Sequence, residues 1–355
     1  MRNSYRIKYG ICLLLMASLF ASCNKEDSLD NELSSRTVNI TFNASTNSGA
    51  NPTSEETSDL RALVFRQTSD EKVQWLPQPE TSWSRLSEDN YQMSCQLETG
   101  IYHFSLSKGL SVVETEEEGN SSNQCFWVEN EESQSLNSYV VQHPKGEDGK
   151  LKECTVALFL NQDDMEKGKN IESNQDFSTA LTHAQARLDF IIGYKGDDEV
   201  SPFDRIKEIN IELTGINAAY GLTGKEIQSG PKAGFSQTLG SEDFDGFDFN
   251  SYKQDFEKFI ISKDISASLS GVTAETAKIK KWLFFPTESV SGTLSVTYNN
   301  GYTKDVSLNE LKLSENMATI VVVWVSQEHL KLELEGIGEG KLDGFSGTGE
   351  NGFWN

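Results

Sequence analysis

The chain has 355 residues, a formal net charge of −23 and 10% aromatic residues. That length accommodates two ordinary domains, the aromatic content excludes a wholly disordered chain, and so acidic a surface repels phosphate backbones and excludes nucleic acid as the expected partner. Hydrophobic residues make up 36%, low for one large α/β core and ordinary for sandwiches with thin cores.

Residues 1–22 differ from the rest. Arg2, Arg6 and Lys8 form a basic start, followed by the apolar run "ICLLLMASLFA", too short to span a bilayer as a mature helix and the right size for a signal peptide. Small residues then precede a cysteine in "LFASC". This resembles a bacterial lipobox, in which Cys23 is acylated, palmitate included, and becomes the new N-terminus. Phe20 stands where leucine is commonest, and the plainer alternative is an ordinary secretory signal with a coincidental cysteine. Directly behind Cys23, Lys25, Glu26 and Asp27 resemble the acidic export signal that carries lipoproteins of Bacteroidetes to the outer face of the outer membrane. Removal of residues 1–22 would leave the chain three charges more negative. The expected location is the outer membrane, lipid-anchored, at the cell surface.

Cys12 falls in the signal and Cys23 takes the lipid. Cys95, Cys125 and Cys154 remain, an odd number with wide spacing and no CxxC, so a zinc site is not expected and at most one disulfide can form.

Residues 24–36 are polar and read as a tether. From Thr37 the pattern becomes β-like. "TVNITFNA" alternates Val38, Ile40 and Phe42 with polar neighbours; "DLRALVFRQ", "GIYHFSLSK" and "CTVALFLN" follow as further short strands. Acidic, turn-rich connections separate them, such as 114–123 and 143–150. Short strands with polar loops predict an antiparallel sandwich, and the lack of βαβ alternation disfavours a doubly wound fold. At the centre, Ser178–Ala186 reads as a short turn or helix, and Leu188–Tyr194 as the first strand of a second domain, with His183 and Arg187 bonded to backbone or acidic groups at the junction.

The second half repeats the plan in "RIKEINIELTGI", "KIKKWLFFP", "SGTLSVTYNNG", "YTKDVSLN" and "ATIVVVWV". Residues 213–230 read as a hairpin or decorated loop. Tyr252, Phe256, Phe259 and Ile260 recur at helical spacing and predict one helix over about 250–263. The expected organisation is a signal peptide (1–22), a polar tether (23–36), an N-terminal β-sandwich (37–175), a C-terminal β-sandwich (176–335) and a Gly-rich loose tail (336–355), an all-β chain of two sandwich domains in tandem.

Enzyme constellations are weak. Gly347, Gly349 and Gly352 satisfy GxGxxG, but with no helix to follow and no acid about 20 residues on, the fingerprint fails. HExxH, GxSxG and Walker loops are absent from the sequence. His103, His143, His183 and His329 are scattered. Asp243, Asp245 and Asp248 lie close together, but Phe247 interrupts the EF-hand order, leaving a solvated acidic loop as the better reading. No catalytic residue, metal ligand or cofactor is assigned. Trp75, Trp83 and Trp127 serve either as core or as a carbohydrate-stacking surface.

One longer stretch carries a family likeness. Phe177, then His183, Ala184, Ala186, Arg187 and Leu188, then the alternating strand through Phe190, together with the lipobox, resemble the fimbrillin-like (Mfa-like) lipoproteins of type V pili. The specific motif covers about 50 residues; the general likeness extends over roughly 37–335. The resemblance implies two transthyretin-like antiparallel β-sandwich domains and pilus subunits as partners. It also implies protease cleavage after an arginine that frees an N-terminal strand, and replacement of that strand by one from the next subunit, a form of β-strand addition. Arg36 is the natural cleavage candidate, but the segment before it is too polar to fill a groove; cleavage after Arg61 would release "TVNITF", a better strand. Near the C-terminus, Leu330, Leu332 and Leu334 alternate with charged residues as in a donor strand, or as in an ordinary last strand. The expectation is a non-enzymatic cell-surface lipoprotein, a fimbrillin-like pilus component or adhesin acting as stalk, tip or anchor. The alternatives are a surface glycan-binding lipoprotein and a sandwich-fold hydrolase.

Overall fold

The structure, a computed structural model, describes residues 36–46, 60–77, 83–87, 90–113, 125–127, 134–154, 157–160, 167–195, 206–223, 231–240, 243, 277–326 and 331–341. The signal, the tether through residue 35, the helix expected over 250–263 and the Gly-rich GxGxxG stretch lie outside them.

The described residues form β1 (Thr37–Thr46), β2 (Leu60–Ser69), β3 (Lys72–Leu76), β4 (Trp83–Ser87), β5 (Asn90–Glu98), β6 (Gly100–Lys108), β7 (Ser111–Val113), β8 (Cys125–Trp127), β9 (Val140–Gln142), β10 (Phe159–Leu160) and β11 (Lys169–Ile171). Then come β12 (Gln175–His183), β13 (Ala186–Lys195), β14 (Ile206–Asn217), β15 (Ala219–Gly221), β16 (Lys232–Leu239), β17 (Ala277–Phe284), β18 (Thr287–Tyr298), β19 (Thr303–Leu313), β20 (Met317–Ser326) and β21 (Lys331–Lys341). A 3-10 turn lies at Leu136–Ser138. The chain is all-β and built from sandwiched sheets, as its alternation predicts.

The first sheet follows the path β3-β2-β6-β10-β12-β1-β5-β4, with β11 on β6. Its two arms enclose one core. From β1 come Val38, Ile40, Phe42 and Ala44, all buried; β5 adds Tyr91 and Met93, and the other arm adds Val64, Tyr102 and Phe104. Phe42 meets Phe104 edge-on with ring centroids 5.1 Å apart, a favoured aromatic geometry. The alternation read in "TVNITFNA" is thus a strand with one face buried and its Asn39, Thr41 and Asn43 face turned outward.

The second sandwich stacks the sheet β17-β13-β20-β21 on the sheet β16-β14-β18-β19. Leu188, Phe190, Trp282 and Val321 from the first meet Ile211, Phe235, Leu294 and Leu308 from the second. Trp282 packs edge-on against both Phe190 and Phe235. Strands β13 and β20 run parallel over nine register pairs, Arg187↔Ala318 to Lys195↔Ser326. Their near-continuous apolar runs suit strands buried on both faces: Ile191, Ile192, Ile320, Val321 and Val322 are all fully buried.

A small fourth sheet, β15-β9-β8-β7, takes β15 from the second half and the rest from the first. Beside it lies a third core, in which Leu63 and Phe65 of β2 meet Tyr139, Val141, Ala184, Tyr220, Leu222 and Phe285. The two halves are therefore packed together through shared apolar contacts.

Two expectations need correction. Ser178–Ala186 is not a turn or helix: Ser178–His183 belong to strand β12, which pairs in parallel with β1 from Ile40↔Gln175 to Thr46↔Leu181. Its Ala, Leu and Gln content favours a helix locally, but Leu181 and His183 alternate inward with exposed neighbours, and sheet pairing overrides propensity. Because β12 lies in the first sheet, the chain changes sheets at Ala184–Gln185 rather than at 175–176. Residues 336–341 are not a loose tail either. Strand β21 continues through Gly336, Gly338 and Gly340, which pair with Val322, Ile320 and Ala318, because a ladder needs only backbone groups. The hairpin expected over 213–230 is present: β14 and β16 pair antiparallel down to Asn217↔Lys232, and the connection between them carries β15, which pairs with β9.

Candidate assembly strands and the buried junction

Strand β1 sits between two neighbours. It pairs in parallel with β12 and antiparallel with β5, the latter over nine register pairs from Thr37↔Glu98 to Ser45↔Asn90. Removal of β1 would open a groove lined by β5 and β12 and empty of the side chains of Val38, Ile40, Phe42 and Ala44. Full burial of each large apolar side chain among them is worth about 1.5–3 kcal/mol, so an unfilled groove would be strongly unfavourable and would demand a substitute strand.

The two candidate cleavage residues differ sharply. Arg36 is exposed and precedes β1; its carbonyl accepts a hydrogen bond from the Thr99 N–H at 3.0 Å. Arg61 lies inside β2, opposite Ser107 of β6, and its Nη1 donates to the Leu60 carbonyl at 3.0 Å. Leu60, Ala62 and Leu63 around it are buried. The Arg61–Ala62 bond lies inside a strand among buried neighbours, whereas the bond after Arg36 lies at the very start of β1, its carbonyl held by Thr99 and both flanking residues exposed.

At the other end, β21 is an edge strand paired antiparallel with β20; Leu332 stands opposite Val325 and Leu334 opposite Val323, with a bulge at Val322/Val323. Leu330, Cys23, Lys25, Glu26 and Asp27 lie outside the described residues.

The motif residues His183, Ala184, Ala186, Arg187 and Leu188 come together at the passage from β12 to β13. All five are buried. Leu188 and Ala186 enter the core of the second sandwich, and Ala184 the shared third core. Arg187 turns to the opposite face of β13 and binds Asp189 with both arms: Nε donates to Oδ1 and Nη2 to Oδ2, each at 2.7 Å. The side chains are 2% and 0% exposed, so neither charge has solvent to fall back on. His183 lies close enough to this guanidinium to feel it. Burial, and then the positive charge of Arg187, push the imidazole down to about 3, so at neutral pH it is uncharged and unsuited to holding a proton for catalysis.

Sequence reasoning passed over three partners at this junction. Gln185 is fully buried; its Oε1 accepts the Leu158 N–H at 2.8 Å, and its carbonyl accepts the Asn316 N–H at 3.1 Å. Asp189 was legible, since Arg and Asp two apart on a strand share a face. His143 was visible only as an isolated histidine. Its Nδ1 stands 3.1 Å from the Pro144 carbonyl oxygen and its Nε2 3.2 Å from that of Leu283 on β17; the neutral ring donates to one of them. Burial lowers its pKa despite these contacts.

Among the described residues no group of three His, Cys, Asp or Glu side chains could hold a metal ion. Trp75 and Trp83 are half-buried and pack against the third and first cores respectively, which gives them a packing role. Cys154 is buried, its Sγ accepting from Gln185 Nε2 at 3.7 Å, and Cys95 is half-buried.

No family model matches the chain, and no curated protein matches it. Solved structures do. The chain is similar to a candidate adhesin from Bacteroides thetaiotaomicron at 10% identity and TM-score 0.46, covering 87% of this chain and 98% of that one. It is similar to a fimbrial assembly protein from Parabacteroides distasonis at 11% identity and TM-score 0.41, with 86% and 98% covered. A third, a candidate polysaccharide-binding protein from Bacteroides thetaiotaomicron, shares 11% identity at TM-score 0.43, with 86% and 98% covered.

Proposed function

We propose that the chain is a non-enzymatic cell-surface lipoprotein, a fimbrillin-like pilus component or adhesin that joins other subunits by β-strand addition. One observation carries this reading. The N-terminal strand β1 fills a two-sided groove with a regular apolar row, while the C-terminal strand β21 is an edge strand of its own sheet. Strand exchange needs both a replaceable strand and a terminal strand that can be given up. The lipid on Cys23, the export signal at Lys25, Glu26 and Asp27, and the partner subunits belong to the same reading, as does placement at the outer membrane surface.

The test uses the purified chain treated with an Arg-specific protease. Loss of β1 accompanied by denaturant-resistant polymers, and failure of a chain truncated before Lys331 to supply its terminal strand to a trimmed subunit, support strand exchange. Trimming that removes β1 with no polymer formed, at any subunit concentration, sinks it. If no trimming occurs, the stalk role falls and an anchor or tip role stands.

A further inference from the structure

We propose that β1 and β12 form a shear clamp that carries tension from the N-terminal tether into the second sandwich. The inference rests on the reading that the chain is held to the membrane through its N-terminal end. It goes beyond that reading by assigning β1 a mechanical task in the untrimmed protein.

The direction of the strands decides the point. Strand β1 begins directly after Arg36, so a pull on the tether draws β1 toward its own start. Strand β12 leads out of its far end, His183, into β13. The two strands are parallel over seven register pairs, Ile40↔Gln175 to Thr46↔Leu181. In a parallel pair the start of one strand and the end of the other lie at opposite ends of the ladder. Tension between the tether and the second sandwich therefore makes the strands slide along each other. Sliding loads all the ladder bonds together, whereas peeling would break them one at a time.

Side chains resist the slide as well. A shift by one residue would turn Val38, Ile40, Phe42 and Ala44 out of the core and bring Asn39, Thr41 and Asn43 in. A shift by two would lift Phe42 from its contacts with Phe104 and Phe177, at centroid distances of 5.1 and 5.8 Å.

The link behind the clamp has no slack. Only Ala184 and Gln185 separate β12 from β13, and both are buried. The Ala184 N–H donates to the Leu158 carbonyl at 3.0 Å, the Leu158 N–H donates to the Gln185 side chain at 2.8 Å, and the Asn316 N–H donates to the Gln185 carbonyl at 3.1 Å. Tension then enters β13, an interior strand held by β17 over eight register pairs and by β20 over nine. A flexible linker would let the second sandwich swing until the load peeled β1 away; this one holds the pulling direction along the strand.

Single-molecule force spectroscopy on the full chain tests the clamp without altering any core residue. One handle is placed on the N-terminal segment. The second is placed either at exposed Lys207 at the start of β14, which loads β1 and β12 in shear, or at Thr99, whose N–H bonds the Arg36 carbonyl, which peels β1 from its tether end. The shear geometry is expected to yield at several-fold higher force than the peeling geometry at the same loading rate. Equal forces, or a weaker shear geometry, overturn the clamp. Palmitate labelling of the wild type and of C23S in cells reads the tether separately: loss of label specificity would remove the membrane reading while leaving the force contrast intact.

Discussion

Arg187 and Asp189 stand two residues apart on β13 and form a bidentate ion pair, both contacts at 2.7 Å, with almost no solvent exposure. Removing one partner strips the other buried charge of both its 2.7 Å contacts. Asp189→Ala or Arg187→Ala is expected to cost about 3–5 kcal/mol in urea unfolding. Replacing both with well-packed apolar residues, as in Arg187→Met with Asp189→Leu, should be nearly neutral, because it removes the desolvation cost along with the attraction. A double variant as unstable as the single ones would show that the pair holds the junction in place by more than mutual compensation.

His183 makes the junction sensitive to acid. Its folded-state pKa, about 3, lies below the ordinary histidine value of 6.5, so the unfolded chain binds the proton first. Stability from this group is complete above pH 6.5 and is lost as pH falls toward 3, by about 1.4 kcal/mol per pH unit. His143, lowered by burial, acts in the same direction. Urea midpoints measured from pH 7.5 to 5 should fall for the wild type and fall less steeply for His183→Gln. His183→Ala should lower stability at pH 7.5 through lost packing. Identical slopes for wild type and His183→Gln would remove His183 from this account.

Cleavage by an Arg-specific protease should follow sheet membership. Arg36 is exposed ahead of β1, and Arg61 is held in the β2–β6 ladder. Time-resolved mass spectrometry is expected to show the cut after Arg36 first under native conditions. The cut after Arg61 should accelerate in sub-denaturing urea, because it requires local opening of β2. Prompt cleavage at Arg61 without denaturant would mean that β2 opens far more readily than its buried neighbours indicate.

Gly292 of β18 stands opposite Leu213 of β14. A Cβ there would collide with the Glu212 carbonyl oxygen and lie 2.7 Å from Leu213 Cδ2. Gly292→Ala should therefore lower stability by about 1–3 kcal/mol, an overpacking cost. Gly301 makes a useful contrast. A Cβ added at Gly301 would meet no atom within 4 Å, and the backbone there has a φ of +81°. Gly301→Asn, which tolerates that conformation better than most side chains, should carry only the backbone strain and destabilise less than Gly292→Ala in thermal unfolding.

Much of the fold was written locally. Val38, Ile40 and Phe42, or Leu188, Phe190 and Ile192, alternate because a strand presents every second side chain to one face, and this period survives whatever the partner is. The Arg187–Asp189 pair had a local signature too. Pairing did not. In Ser178–His183 the composition leans toward a helix, and pairing with β1, more than a hundred residues earlier, and with β10 makes it a strand. Gly336, Gly338 and Gly340 read as part of a tail because they lack side chains to pack, yet β20 supplies backbone partners to them. Gln185 and His143 gained their roles from carbonyl and amide groups on remote segments. The sequence by itself determined which residues seek a core and which seek water, since that follows from each side chain's own chemistry. Only the tertiary structure decided which strands lie side by side, in which direction and register, because backbone hydrogen bonds are the same for every residue and the choice among partners is settled by packing over the whole chain.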